Sequence, residues 1–237
     1  MKYIIDLHTH SVFGGHAYST VQENVAVAKE RGLAVYGISE HGPAMPGGPH
    51  MYYFANLKVL PKEIEGVRVL KGCEANIINR EGHLDLQDDL LAGLDYAIAS
   101  LHLPCISSGT ARENTDCLIK AMDNPKVCMI GHPDDARYPL EYERLVSAAK
   151  EKGILLEVNN SSLSPLSFRA GALENVMTYL ALCKQYQVPV ILGTDSHYSS
   201  YVGDFGYVEN ALKMADFPEE LVVNTSLEKL CKYIPSL

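Results

Sequence analysis

His8 and His10 stand two residues apart at the end of an apolar run, Tyr3-Ile4-Ile5-Asp6-Leu7-His8-Thr9-His10. In an extended segment, residues i and i+2 point to the same side, so both imidazoles project together, as ligands of a metal ion must. Without an ion, a buried pair of this kind needs two separate hydrogen-bonding partners. The same placement, a ligand-type residue directly after an apolar run, recurs along the chain. Glu40 and His41 follow residues 35–39, and Glu74 and Asn76 follow residues 67–73. His102 comes after 96–99, and His132 comes after 127–130 within Gly131-His132-Pro133. Glu157-Val158-Asn159-Asn160-Ser161 closes the sixth run, and Thr194-Asp195-Ser196-His197 follows residues 190–192. His16 lies in the loop beyond the first run. Of nine histidines, only His50 and His83 fall outside this placement.

Seven histidines with Glu74 and Asp195 make nine candidate ligands. One zinc takes about four in a structural site and about three in a catalytic one, so nine suit two or three ions, with a carboxylate bridging. A lone histidine at a strand end is more often a hydrogen-bonded structural residue; the recurrence over successive runs is what points to metal. No cysteine belongs to the set, which excludes a thiolate-rich structural site. Mixed imidazole and carboxylate ligation suits Zn²⁺, Mn²⁺ or Fe²⁺.

Gathering residues so far apart in sequence requires elements that converge. Short β-branched and aliphatic runs alternate with amphipathic stretches, the order of a parallel α/β sheet or barrel. The C-terminal ends of such strands meet on one face, where active sites form. The pattern predicts strands over 3–7, 35–39, 67–73, 96–99, 127–130, 154–158 and 190–192. It predicts helices over 21–31, 116–122, 140–152, 172–187, 207–214 and 227–233. Thr20-Val21-Gln22-Glu23 and Thr225-Ser226-Leu227-Glu228 each read as a capping box. Gly32 and Gly153 read as helix-terminating residues of positive φ, and Pro189 stops a helix before a strand. The segment 42–55, with three prolines, three glycines and Tyr52, Tyr53 and Phe54, reads either as a lid or as a loop packed on a neighbouring helix. No linker or internal repeat divides the 237 residues, so a single domain is expected.

A net charge of −9 argues against a nucleic-acid backbone as a general partner. The six cysteines are scattered with no C-x-x-C, which suits reduced thiols. Cys73 adjoins Glu74 but points the opposite way on a strand. No signal peptide or membrane-length apolar run is read, and the expected location is cytoplasmic.

Several motifs taken together resemble the PHP (polymerase and histidinol phosphatase) superfamily. They are Asp6-Leu7-His8-Thr9-His10-Ser11, Ser39-Glu40-His41-Gly42, Gly72-Cys73-Glu74-Ala75-Asn76, Gly131-His132-Pro133 and Thr194-Asp195-Ser196-His197. His16-Ala17-Tyr18-Ser19-Thr20, His41-Gly42-Pro43, Glu74-Ala75-Asn76-Ile77 and residues 157–162 resemble its small stand-alone YcdX-like phosphatase group. The resemblance spans the chain, as one PHP domain over 1–237. It implies a distorted (βα)7 TIM-like barrel with three divalent ions, zinc first and manganese or iron as alternatives. On that analogy His8, His10, Glu74 and Asp195 hold one ion. Glu74 bridges to a second, held also by His102 and His132. His16, His41 and His197 hold the third.

Glu40 stands where many relatives have Asp and reads either as orienting His41 or as a structural hydrogen-bond acceptor. The implied reaction is hydrolysis of a small phosphomonoester by a metal-bound hydroxide. Glu74, Asp195 and Arg169 are the catalytic candidates, Arg169 as a phosphate clamp and Arg137 as a weaker one. His83 reads as a surface or substrate-side residue. Asn159 and Asn160 read as site support or turn formers. The resemblance also implies a homotrimer. The alternatives are an amidohydrolase-type metal hydrolase, a metal-dependent nuclease, and a metal-binding regulatory domain without turnover. The substrate itself is open.

Overall fold

The computed structural model describes residues 1–235. The strands are β1 (Ile5–Asp6), β2 (Val35–Ile38), β3 (Glu63–Ile64), β4 (Val67–Asn76), β5 (Tyr96–Ser100), β6 (Val127–Ile130), β7 (Leu155–Asn159) and β8 (Val190–Gly193). Seven of them run parallel in the order β1-β2-β4-β5-β6-β7-β8 and curl into a barrel, as expected. The short β3 forms a hairpin with β4. Its turn, Glu65-Gly66, has positive φ at both residues (52° and 85°), the geometry of a tight two-residue hairpin. The helices are α1 (Val21–Glu30), α2 (Met51–Asn56), α3 (Asp88–Ala92), α4 (Ala111–Ala121), α5 (Tyr142–Lys152), α6 (Ala172–Tyr186), α7 (Gly206–Met214) and α8 (Leu227–Cys231). Among the described residues, no helix is long and apolar enough to cross a membrane.

Strand alternation sorts the apolar residues into two layers. Ile5, Leu7, Val35, Leu70, Tyr96, Ile98, Met129, Leu155 and Ile191 fill the barrel interior, closed below by Leu230 and Ile234. Tyr36, Val69, Leu118, Leu145, Leu156, Tyr179 and Leu192 pack between the strands and the helices. The same alternation aims the site. Leu70, Gly72, Glu74 and Asn76 share one face of β4, and Leu155, Glu157 and Asn159 share one face of β7. Each interior row therefore starts apolar below and ends polar at the mouth.

β1 departs from this rule. Ile5 and Leu7 point inward, so strict alternation would turn His8 and His10 outward. The ladder ends at Asp6, whose Oδ1 accepts the backbone N–H of His8 at 3.4 Å. Beyond Asp6 the chain leaves the strand, and both histidines face Glu74 over the interior.

β1 and β8 form no ladder, and three devices close the seam between them. Above, Thr9 pairs with Ser196, and Asp195 N donates to His8 O at 2.8 Å. In the middle, the Asp6 carboxylate accepts from Thr194 N (3.2 Å), Thr194 Oγ1 (2.6 Å) and Gly203 N (2.9 Å). Below, the buried Asn224 amide accepts from Leu192 N at 2.7 Å and donates to Ile5 O and Leu192 O at 2.8 Å each.

Burial pushes the Asp6 carboxyl up to about 6, against the pull of its bonds from Thr194, Gly203 and His8. A carboxyl raised above its ordinary 3.8 makes the fold take up a proton between those values. Its contribution to stability is thus complete below about pH 4 and lost as pH rises through about 6. Denaturant titrations of wild type and Asp6→Asn should differ by an amount that changes by roughly 3 kcal/mol across that window. A difference that stays flat from acid to neutral pH would sink this assignment.

The helix ends show what the apolar pattern misses. α4 starts at Ala111 rather than 116, because Thr110 and Glu113 form a capping box at its head. The expected box at Thr225 does not form: Thr225 Oγ1 donates to Val222 O, and Ser226 caps α8 without a side-chain bond. Thr20 does form its box with Glu23. Gly32 and Gly153 take positive φ as expected (74° and 66°). Segment 42–55 carries α2, whose Phe54 is buried and whose Met51 and Tyr53 pack on the core. Asp85 Oδ2 holds Ala44 N at 2.8 Å, so the segment is anchored at its base as well.

Candidate metal centre

Glu74 is the hub. Its Oε2 lies 3.2 Å from His8 Nε2, 3.5 Å from His10 Nε2 and 2.8 Å from His41 Nδ1. Its Oε1 lies 3.2 Å from His102 Nε2 and 2.9 Å from His132 Nε2. One carboxylate thus presents its two oxygens to two different groups of imidazoles. Asp195 Oδ1 sits 3.1 Å from His10 Nε2 and 3.5 Å from His8 Nε2. His16 stacks on His41 with ring centroids 5.1 Å apart, and its ring lies 4.7 Å from that of His197. All nine residues expected as ligands meet here. Three sets of their atoms fall within 4.8 Å of one another: His8, His10 and Glu74; His41, Glu74 and His102; and His10, His41 and His197.

The atoms facing inward fit metal better than they fit each other. His8 Nε2, His41 Nδ1 and Glu74 Oε2 are buried without a hydrogen-bond partner, which costs free energy unless something else binds them. The outward nitrogens are taken. His8 Nδ1 faces Glu157 Oε1 at 2.7 Å, and His102 Nδ1 faces Asn76 Oδ1 at 2.7 Å. His16 Nδ1 faces Gly14 O at 2.8 Å, and His197 Nδ1 faces Asp195 O at 2.9 Å. Each acceptor requires the proton on Nδ1, which leaves a bare Nε2 lone pair on the inner side. His102 Nε2 and His132 Nε2 stand only 3.1 Å apart, a contact that a shared cation resolves.

The electrostatics divide the histidines. Burial alone would lower His8, but Glu157, Glu74 and Asp195 raise it well above the imidazole range. His10 behaves alike, raised to about 9 by Asp195 and Glu40 against burial. Burial dominates at three others and lowers His41 to about 4, His197 to about 3, and His102 as well. Burial works to raise Glu74 and Asp195, yet the facing imidazoles, with Arg169 beside Asp195, hold both well below the carboxylate range.

Glu40 does not orient His41. Adjacent residues on an extended chain face opposite ways, so its Oε1 takes Ser11 N at 2.7 Å and the Ser11 hydroxyl instead. Its Oε2 stands 3.7 Å from His10 Nδ1. Arg169 is buried, with Nη1 on Asp195 Oδ2 (3.2 Å), Ser162 Oγ (2.9 Å) and Asn159 Oδ1 (3.3 Å). Arg137 pairs with Asp135 through Nε (2.9 Å) and Nη2 (2.6 Å), and its guanidinium lies over the Phe168 ring at 4.6 Å. Asn159 supports the site through Asp195 Oδ2, whereas Asn160 caps α7 by accepting from Tyr207 N and Val208 N. His50 caps α2, and His83 bonds to Asn79 on the surface. Cys73 lies in the outer apolar layer, and none of the three ligand sets contains a cysteine.

Sequence reading assigned no role to Asn76, Asp85 or Glu157. Asn76 fixes His102 while its Nδ2 donates to Asp85 Oδ2 at 2.6 Å, so a carboxylate–amide–imidazole chain runs from the base of segment 42–55 to the pocket. The period-2 row through Glu74 or Leu155 could have flagged Asn76 and Glu157 as interior. Asp85 lies in a loop, where no period applies.

A parallel barrel whose strand mouth gathers seven imidazoles and two carboxylates around unpartnered lone pairs has the build of a metal-dependent hydrolase. The family model for the PHP domain matches residues 6–161. A probable phosphatase from Clostridium novyi is 48% identical over 236 residues, covering 100% of this chain and 96% of the relative. One from Clostridium acetobutylicum is 47% identical over 234 residues, covering 99% and 95%. The chain belongs to the PHP family. Among solved structures, it resembles a histidinol phosphate phosphatase from Lactococcus lactis, complexed with zinc, L-histidinol and phosphate. There the TM-score is 0.63 at 19% identity, covering 92% of this chain and 95% of that one. A chain from a cryo-EM structure of archaeal ribonuclease P with mature tRNA matches with TM-score 0.64 at 15% identity, over 98% and 90%. At these identities the structures share the fold.

Proposed function

We propose that this protein is a metal-dependent phosphatase that hydrolyses a small phosphomonoester at a centre of three divalent ions. The observation that carries this reading is Glu74, one carboxylate placed between two sets of inward lone pairs. His8, His10, Glu74 and Asp195 would hold one ion; Glu74, His102 and His132 a second; His16, His41 and His197 the third. When bound, such ions supply positive charge for the phosphate oxygens and an acidified water near neutral pH.

The chain's own groups hold the frame. Asp195 is fixed from behind by Arg169 and Asn159, and His102 by Asn76. Arg169 clamps the phosphate with the donors not spent on Asp195, Ser162 and Asn159. A small ester fits the chain's acidic balance, which disfavours long nucleic acids. The same reading makes the whole chain one functional unit, cytoplasmic, and trimeric by family resemblance.

Purified protein should carry two or three ions per chain and hydrolyse an aryl phosphate. Chelation should abolish turnover, and Zn²⁺ or Mn²⁺ should restore it. Fewer than two ions per chain, or hydrolysis indifferent to chelation, would overturn the reading. A panel of phosphate esters on the same sample then names the substrate.

A further inference from the structure

One buried carboxylate next to this centre has no place among its ligands. Glu157 projects from the interior face of β7 and is fully buried. Its Oε1 faces His8 Nδ1 at 2.7 Å, and its Oε2 accepts the backbone N–H of His132 at 2.6 Å. Those two histidines address opposite oxygens of Glu74. Glu157 therefore repeats, one layer deeper, the span that Glu74 makes at the mouth.

The His132 end carries backbone strain. Its φ is 28°, in the left-handed region, which costs a non-glycine residue on the order of 1–3 kcal/mol. A charged acceptor on its N–H helps hold that conformation. Asn159 Nδ2 donates to Glu157 Oε2 and to Asp195 Oδ2, at 3.2 Å each, and Asp195 is itself at φ 52°. Gly193 makes the arrangement possible. A Cβ there would overlap Glu157 Oε1 and lie 2.8 Å from His8 Cβ.

We propose that Glu157 is the positioning residue that sets both ends of the metal centre at once. It takes the proton of His8 Nδ1, which leaves Nε2 as the nitrogen facing the ions, and it pins the strained His132 backbone. The inference rests on the metal-centre reading above. A glutamine in its place has one acceptor oxygen for the three donors His8 Nδ1, His132 N and Asn159 Nδ2, and its amide would turn N–H groups on at least one of them.

The test is metal affinity, not turnover. Zn²⁺ or Mn²⁺ binding to wild type, Glu157→Gln, Glu157→Asp and Gly193→Ala is measured by competition with a chromogenic chelator. Circular dichroism and melting of the chelator-treated proteins report the fold. Glu157→Gln should bind at least two ions more weakly, by about 10–100-fold each, the usual cost of losing a residue that orients ligands. Gly193→Ala should repeat that pattern by displacing an intact carboxylate. Glu157→Asp, which keeps the charge but falls short of one partner, should recover part of the loss.

Unchanged affinity in Glu157→Gln, or weakening of one ion alone, would overturn the proposal. So would unfolding of both Glu157→Gln and Gly193→Ala without metal, since Glu157 would then serve the fold. If wild type itself binds fewer than two ions, it is the metal-centre reading that fails.

Discussion

Glu74→Gln should lower phosphatase turnover by at least about 10²–10³-fold, the usual cost of deleting one preorganised electrostatic group. It should also leave the protein short of two ions rather than one. Five imidazole nitrogens lie within 3.5 Å of the Glu74 oxygens, three on Oε2 and two on Oε1. Glutamine keeps the shape but turns an N–H₂ toward one of the two groups, replacing a negative acceptor with a donor. His8→Asn or His10→Asn should cost chiefly one ion, because each imidazole faces one side of the hub. Metal quantification on the three variants, with turnover on the same samples, tests the contrast. A Glu74→Gln protein with the wild-type metal complement, or with activity within tenfold of wild type, would remove Glu74 from the centre.

Asn224→Ala should be the most damaging change outside the pocket. Its amide makes three buried hydrogen bonds, to Leu192 N, Leu192 O and Ile5 O, across an edge where β1 and β8 have no ladder. Alanine leaves those backbone groups buried and unpaired at about 1–3 kcal/mol each, so a total of roughly 4 kcal/mol is expected. For a chain of this length that corresponds to a melting temperature lower by about 10 °C. Asn224→Asp, which keeps an acceptor for Leu192 N but sets a buried carboxylate against Ile5 O and Leu192 O, should be at least as damaging. A melting point within a degree or two of wild type would show that the seam closes without this amide.

The sequence disclosed what obeys a period. Residues 127–130 form a strand at their predicted bounds, and each of the seven expected runs carries a strand, because buried parallel strands read as continuous apolar runs. The nine ligand-type residues were visible because each follows such a run. What stayed hidden depends on tertiary meeting. Asn224 carries no local signal, since its partners lie 32 and 219 residues away. Glu157 stood in plain view at a strand end, but its role comes from His8 and His132, which only the barrel brings to it. The start of α4 was legible from Thr110 and Glu113, the rule that succeeded at Thr20. The apolar pattern does not show it, because Arg112, Glu113 and Asn114 make a polar opening turn. Thr225 shows the converse: the same signature failed because its hydroxyl found Val222 O nearer.

The unladdered seam also bears on synthesis. Of the barrel strands, β1 leaves the ribosome first and β8 last, with Asn224 after it. Until then the first strand keeps one open edge, and a growing chain cannot bury it against the strand that will cover it. His8 and His10 wait equally long for Asp195 and His197. Closing the barrel and completing the pocket are therefore one late event, so a chain halted short of the seam holds neither a finished barrel nor a full set of ligands.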